Sequence, residues 1–429
     1  NLLEKVASLC KRRGFIFPGS EIYGGLGGFY DFGPLGAELK FNIKQEWWKS
    51  VVHERDDVVG LSTALIMNPK VWEASGHVSG FSDPLIECKK CHQRFKGDDF
   101  LPAIEIGGKN VCPNCGSKEF TDVKNFNLMF RTYVGSAEDT ASVAYLRPET
   151  AGGIFVNFKN VLDTMRVKVP FGIAQIGRAF RNEINPKDFI FRTREFEQME
   201  LEYFVMPGED GKHFKDWLDE RYKWYESIGL KNIRKHEQSA EERAHYSKET
   251  VDIEYEFPFG WKEIEGVANR GDFDLKAHAK HSGQELTYYD RETKEKFVPY
   301  VIEPSAGVDR IVLAVLCDAY HQDGDRIVLK LHPKLAPYKA AIFPLLKNKP
   351  ELVEKAREIY TMLKSDFNIA WDDRGNIGKR YYSQDEIGTP KCITVDFQTL
   401  EDDTVTVRDR DSMEQKRVSI SDIAQTISI

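Results

Sequence analysis

Two groups of residues in this chain have the types and spacing to do chemistry. Cys88 and Cys91 form one close pair and Cys112 and Cys115 another, with 20 residues between the pairs. Each pair can project two thiolates from a tight knuckle toward one tetrahedral centre, the pattern of a zinc ribbon. Pro113 and Gly116 suit such turns. Four thiolates leave no open coordination position, so Zn2+ here would be structural rather than catalytic. Coincidental cysteines are the competing reading. The other three cysteines, Cys10, Cys317 and Cys392, read as buried thiols, and the usage as a whole suits a reducing compartment.

The second group is Arg181-Asn182-Glu183, a loop, and then Arg192, Arg194 and Phe196. Arginines suit phosphate oxygens, a carboxylate suits an exocyclic amine, and an aromatic suits a base, so together they could floor a nucleotide site. Surface ion pairs would explain the same charges. Arg310, in the first turn of a helix after Gly307, is equally open between stacking on a flat ring and facing water.

These residues need elements to hold them. In 194–203, Gln198, Glu200 and Glu202 alternate with Met199, Leu201 and Tyr203, the period of a strand with one polar and one apolar face. Residues 171–183 also read as a strand, and Asn185-Pro186 breaks the segment between them, so the two form an antiparallel pair around a long loop. A buried strand over 299–303 precedes Gly307 and an apolar helix through Val308, Ile311, Val312, Val315 and Leu316. Pro34 suits a helix N1 position, and behind it Leu35, Leu39, Ile43 and Trp47 form one apolar stripe, either core or a subunit interface. The charged stretch 208–250 reads as a helical insertion. Beyond residue 333 the pattern changes to strand, helix, strand, helix, strand, hairpin and closing helix, a small α/β domain. The expected division is 1–333, with a zinc-binding insertion at 84–122, and 334–429.

At 429 residues and a net charge of −8, the chain can bury more than one core and is too acidic to coat nucleic acid non-specifically. No apolar run is long enough to span a membrane, and the first 14 residues read as an amphipathic helix, not a signal peptide, which leads to the expectation of a cytoplasmic protein.

Taken in order, Phe180-Arg181-Asn182-Glu183 with Phe191-Arg192-Thr193-Arg194-Glu195-Phe196-Glu197-Gln198-Met199-Glu200 resembles motif 2 of class II aminoacyl-tRNA synthetases. Gly307-Val308-Asp309-Arg310 resembles their motif 3, and the Pro34 helix their dimerising motif 1. Within the class, the chain is most similar to the homodimeric glycyl enzymes, through the 17–25 run, the 72–77 run Trp-Glu-Ala-Ser-Gly-His, Leu146-Arg147-Pro148-Glu149-Thr150-Ala151 and Glu303-Pro304-Ser305-Ala306-Gly307. The part after 333 resembles the anticodon-binding domain shared with the threonyl, prolyl and histidyl enzymes.

The resemblance implies an α+β catalytic domain on an antiparallel sheet, ATP with Mg2+, glycine and tRNA(Gly) as substrates, and a homodimer. It implies that Arg181 holds the α-phosphate, Glu183 reads the adenine amino group, Phe196 and Arg310 sandwich the ring, and Arg192 or Arg194 meets the outer phosphates. Glu263, with Ile264 beside it, would be a further ATP contact through Mg2+. Glu149, the run Phe196 to Glu200 and the run Glu303 to Gly307 would bind glycine. Lys96 stands where the family usually has a second Arg, in Arg94-Phe95-Lys96-Gly97-Asp98, which weakens a substrate role there. The alternative function is a non-catalytic, synthetase-like accessory subunit that binds nucleic acid. The charged hairpin from Arg408 to Arg417 reads as solvated rather than base-reading.

Overall fold

The protein is described by a computed structural model covering residues 1–97, 111–241, 243 and 247–428. Asp98 and most of the segment between the two cysteine pairs therefore lie outside the described residues.

The larger sheet takes its strands from most of the first 307 residues. In chain order they are β1 (Val58–Gly60), β2 (Phe171–Phe180), β3 (Glu195–Val205), β4 (Ile233–Glu237), β5 (Glu249–Phe257), β6 (Gly260–Gly271) and β7 (Tyr300–Gly307). Across the sheet they run β4-β5-β6-β7-β3-β2-β1. Every neighbouring pair is antiparallel except β1 with β2, so the sheet is mixed only at that edge. The expected strand pair is present in register, Glu195 opposite Phe180 and Phe204 opposite Phe171.

The helices that flank the sheets are α1 (Leu2–Arg13), α2 (Pro34–Trp48), α3 (Ala151–Met165), α4 (Asp210–Ser227), α5 (Phe273–Ser282), α6 (Val308–Ala319), α7 (Pro350–Leu363) and α8 (Ile377–Ile387). Because side chains alternate along a strand, β3 sends Met199, Leu201, Tyr203 and Val205 into one apolar cluster with α2, α4 and α6. The α2 stripe of Leu35, Leu39, Ile43 and Trp47 is buried in this same cluster, which settles it as core of this chain. On the sheet's other face, Phe171, Ile173, Phe204 and Val301 pack with Ile154, Phe155 and Phe158 of α3 and Leu275 of α5. Farther along that face the strands carry Gln175, Gln198, Glu200, Glu202 and Glu303, all buried. Buried polar groups are costly without partners, so this end of the face is marked for something other than stability.

The stretch 208–250 is not a helical insertion throughout. Helix α4 ends at Ser227, and Ile233–Glu237 joins the sheet as its edge strand β4. Charges in that segment suit an edge strand, where they discourage pairing with another chain.

The C-terminal sheet comprises β8 (Ala340–Pro344), β9 (Ile369–Trp371), β10 (Lys391–Val395), β11 (Thr404–Asp409) and β12 (Gln415–Ser419), ordered β9-β8-β10-β11-β12. Its cluster of Ala340, Ile342, Ile359, Ile393 and Val405 is separate from the larger one. The connection before β8 winds around a single ammonium, that of Lys339, whose Nζ donates to the carbonyl oxygens of Pro333, Lys334 and Ala336.

Candidate active site

Where the polar end of the sheet meets the loop between β2 and β3, the protein has a cleft of about 320 Å³, within the range of small-molecule sites. One end is built from that loop and from α6. Arg181 follows β2, its Nε donating to the Pro148 carbonyl at 3.1 Å and its guanidinium 5.3 Å from the centre of the Phe196 ring. Glu183 is nearly buried and accepts from Arg192 Nε at 2.8 Å, so in this state the two loop residues neutralise each other. Arg310, in the first turn of α6, lies 4.5 Å from the Phe191 ring centre and bonds Glu263 Oε2 at 3.0 Å. Asp309 does not reach outward. It accepts from Lys40 Nζ of α2 at 2.8 Å and from the Glu197 backbone N–H at 2.9 Å, locking α6 to β3.

The other end is acidic. Glu149, just before α3, has His77 Nε2 at 3.4 Å, and His77 Nδ1 is 2.8 Å from Ser75 Oγ. Burial would raise the Glu149 carboxyl, but His77, then Arg270 and Arg181, more than offset this and hold it down at about 2. Glu200 accepts from Ser305 Oγ at 2.8 Å and from Thr150 Oγ1. Burial and the nearby Glu149 raise it. Glu303 is paired with Arg270, which is itself held bidentate by Asp274 at 2.7 and 2.8 Å. Burial still pushes Glu303 up to about 8, with Arg270 opposing and Glu200 and Glu149 adding to the rise. Behind them Glu202 is fully buried, with neither carboxylate oxygen hydrogen-bonded among the described residues. Burial first, and Glu303 next, raise it well above the carboxylate range. This end of the cleft is therefore short of positive charge and suited to a small cation such as an ammonium.

Strand alternation divides the residues singled out in the sequence. Glu149, Arg181, Glu183, Phe191, Arg192, Thr193, Phe196, Gln198, Glu200, Glu263, Glu303, Ser305, Gly307, Asp309 and Arg310 line the cleft. Met199, Ala306 and Val308 point into the core on the other side, as does Ile264, and Pro304 and Glu197 share that side by alternation. Glu197 there pairs with Lys40 and Lys44 of α2 at 2.9 and 3.0 Å. Arg194 is also outside the cleft: its guanidinium bonds the Glu183 and Gly27 carbonyls, and its N–H bonds the Gly28 carbonyl. Glu195 pairs with Arg178, and Asn182 contributes its N–H to the Leu128 carbonyl. Lys96 does not line the cleft. It bonds Asp83 at 2.8 Å, and Asp83 lies 3.6 Å from Arg192.

The sequence reading missed Gln238, Thr250, Asp252, Gly266 and Ala268, which form the cleft wall on β5, β6 and the turn after β4. Gln238 donates to both Asp252 oxygens, and burial, with Glu263 second, pushes Asp252 up to about 6. A signal existed, since Thr250, Asp252 and Glu254 alternate with Val251, Ile253 and Tyr255. His77 and Arg270 had no local signal, because only the folded chain brings them to Glu149 and Glu303.

The four cysteines converge. Cys88 and Cys115 sulfurs are 3.6 Å apart and those of Cys91 and Cys112 3.5 Å, beside a three-stranded sheet of Ser82–Glu87, Arg94–Lys96 and Lys124–Asn127. A hydrogen bond from the Asn114 side chain, and then the Gln93 N–H, lowers the Cys91 thiol to about 6. Four sulfurs at this spacing fit a tetrahedral thiophilic ion.

Comparison with known proteins agrees with this geometry. Residues 133–319 match the family described as tRNA synthetase class II core domain (G, H, P, S and T), and residues 339–428 match the anticodon binding domain. Among similar proteins, the glycine–tRNA ligase of Alkaliphilus oremlandii is 54% identical over 98% of this chain and 96% of its own length. That of Thermobifida fusca is 52% identical over 99% and 97%. That of Borreliella afzelii is 56% identical over 98% and 96%.

Proposed function

The chain belongs to the glycine–tRNA ligase family of class II synthetases, and from that premise we propose how its cleft divides the work. The protein is an ATP-dependent ligase that joins glycine to tRNA(Gly). A glycine carboxylate oxygen attacks the α-phosphorus of ATP and pyrophosphate leaves. A hydroxyl of the tRNA's terminal ribose then attacks the carbonyl carbon of glycyl-adenylate, and AMP leaves. Neither step needs a side-chain nucleophile, so the protein acts by positioning and by electrostatic stabilisation.

In this reading Arg181 meets the α-phosphate, where negative charge develops. Glu183 accepts from the adenine amino group, which requires Arg192 to release it and turn toward the outer phosphates. Phe196 and Arg310 close on the two faces of the ring. Glu263 would share in holding Mg2+, which would supply positive charge against the phosphates. At the acidic end, Glu149, Glu200 and Glu303 take the substrate ammonium, with Ser305 and Gln198 beside them. Glycine has no side chain to grip, so selectivity comes from excluding even a methyl group, which a crowded polar pocket does readily. The single observation that carries this assignment is that one cleft holds both Arg181 with Phe196 and the three buried carboxylates.

The catalytic unit in this reading runs to residue 333, with the cysteine module at 84–122 holding Zn2+ as a structural ion, and the anticodon-binding unit follows. A homodimer is supported by exposed apolar side chains on the Pro34 helix and in the segment that precedes it, Phe41, Ile22, Tyr23 and Leu26. A cytoplasmic location fits the described residues, where no helix is long and apolar enough to cross a membrane.

The test is ATP–pyrophosphate exchange across the twenty amino acids with the wild type and Arg181→Ala. Exchange with glycine alone, lost in the variant, is the expected result. Zinc-replete, folded protein without exchange on any amino acid would favour the accessory-subunit reading.

A further inference from the structure

The boundary between the two sheets is built unlike a hinge. Domain interfaces within a chain are usually modest and polar, and relative motion is the default expectation. Here Asp385 and Glu386, adjacent on α8, are grasped from both sides. Arg326, from the hairpin Tyr320–Asp323 with Arg326–Leu329, donates to Asp385 Oδ2 from Nε at 2.9 Å. Arg408 of β11 meets the same carboxylate at 2.9 and 3.1 Å. Asp385 is fully buried, and its charge is secured by these two guanidiniums, one from each side of the boundary. Glu386 is held by Arg12 and Arg13 at the end of α1, and Arg13 also bonds the Ser383 carbonyl and hydroxyl, each at 3.0 Å.

The clasp is tied to the backbone as well. Arg410 Nη1 donates to the carbonyls of Leu331 and Gly388 at 2.9 and 2.8 Å, and the Arg410 carbonyl accepts from Arg326 Nη2 at 2.8 Å. Gly388 has φ +83°, and a Cβ there would meet Leu331 Cδ1 at 2.6 Å, so the chain approaches as closely as a glycine allows. Ile387 joins the larger core. The connection, wound around Lys339, adds a further point at which the boundary is held.

We propose that the Asp385–Glu386 clasp is a positioning joint that fixes the anticodon-binding unit at one angle to the cleft, serving transfer to full-length tRNA but not glycine activation. The inference rests on the function proposed above. A tRNA held at both ends must have its terminal ribose delivered to the cleft, and a loosened joint would misplace that end while leaving the cleft's own residues untouched.

The test uses the full chain carrying Arg326→Gln, with Glu386→Gln as a milder, partly exposed change and Arg326→Lys as the conservative replacement. Three rates are read: glycine-dependent exchange, charging of full-length tRNA(Gly), and charging of a minihelix that reproduces only the acceptor stem. The expected result is exchange and minihelix charging within about twofold of wild type. Charging of full-length tRNA, as kcat/KM, falls roughly tenfold and recovers in part with lysine. Equal loss on tRNA and minihelix, loss of exchange, or undiminished charging of full-length tRNA would each overturn the joint. Failure of the underlying reading is separate and shows in the wild type, as absent exchange or no advantage of full-length tRNA over the minihelix.

Discussion

Glycine binding should be coupled to loss of a proton, and Glu303 sets the size of the effect. Its carboxyl is moved from an ordinary 4.5 to about 8, first by burial and then by Glu200 and Glu149, against the pull of Arg270. At pH 7, before substrate arrives, most molecules therefore carry a proton there, whereas an ammonium is best met by the ionised group. The protonated fraction weakens apparent glycine binding by roughly tenfold at pH 7, or ~1.4 kcal/mol, and by much less at pH 8. Glycine itself keeps its ammonium across this range. The KM for glycine should fall by up to roughly tenfold from pH 6 to 7 and by less from pH 7 to 8. The assay is pyrophosphate exchange at saturating ATP, with calorimetry in two buffers of different ionisation heat to count the proton released. A KM that stays flat or rises with pH would refute the reasoning, and Glu303→Gln should bind weakly with a much shallower pH slope, since Glu200 is raised as well. Stability moves the other way. Because the folded value is raised, the stabilisation is complete below about 4.5 and is lost as pH rises through about 8, so the melting temperature of the free protein declines over the interval in which glycine affinity improves.

Other perturbations have equally definite outcomes. Arg221 of α4 and Glu265 of β6 form a fully buried pair at 2.8 Å, and Arg221→Met should cost about 3–5 kcal/mol in denaturant unfolding by stranding the carboxylate; a loss under about 1 kcal/mol would contradict that account. Gly28 has φ +79° and a Cβ there would meet Pro186 Cγ at 2.7 Å, so Gly28→Ala should displace the loop between β2 and β3 and raise the KM for ATP roughly tenfold, whereas an unchanged KM would show that the loop can accommodate the methyl group. Cys115→Ser should lower bound zinc, measured by mass spectrometry of the purified protein, from about one ion per chain to a small fraction of that; metal-free wild type would remove the basis of the expectation.

Much of the site was legible because it lies on strands. Alternation in β3 is strong enough to place Gln198 and Glu200 on one face, and the register with β7 brings Ser305 to Glu200. The same periodicity, applied strictly, would have separated Met199, Ile264 and Ala306 from the cleft, but a resemblance carried over as continuous runs does not respect strand faces. The polar alternation in β5 was as clear, yet nothing local ties Asp252 to β6 and β7 until the sheet forms. Edge strand β4 was hidden by its charges, which serve solvent exposure and leave no apolar period to read. Arg270 is the hardest case. Asp274, four residues on, steadies it, but its role depends on Glu303, which only the pairing of β6 with β7 brings to it.

The pairing of Arg192 with Glu183 has a consequence for inhibitor design. A compound that only copies adenine must break an internal ion pair before it finds its acceptor, whereas one extended by a cationic arm toward Glu149 and Glu303 enters a region already short of positive charge. Selective compounds should therefore be grown from the amino-acid end of the cleft, with the purine mimic added last.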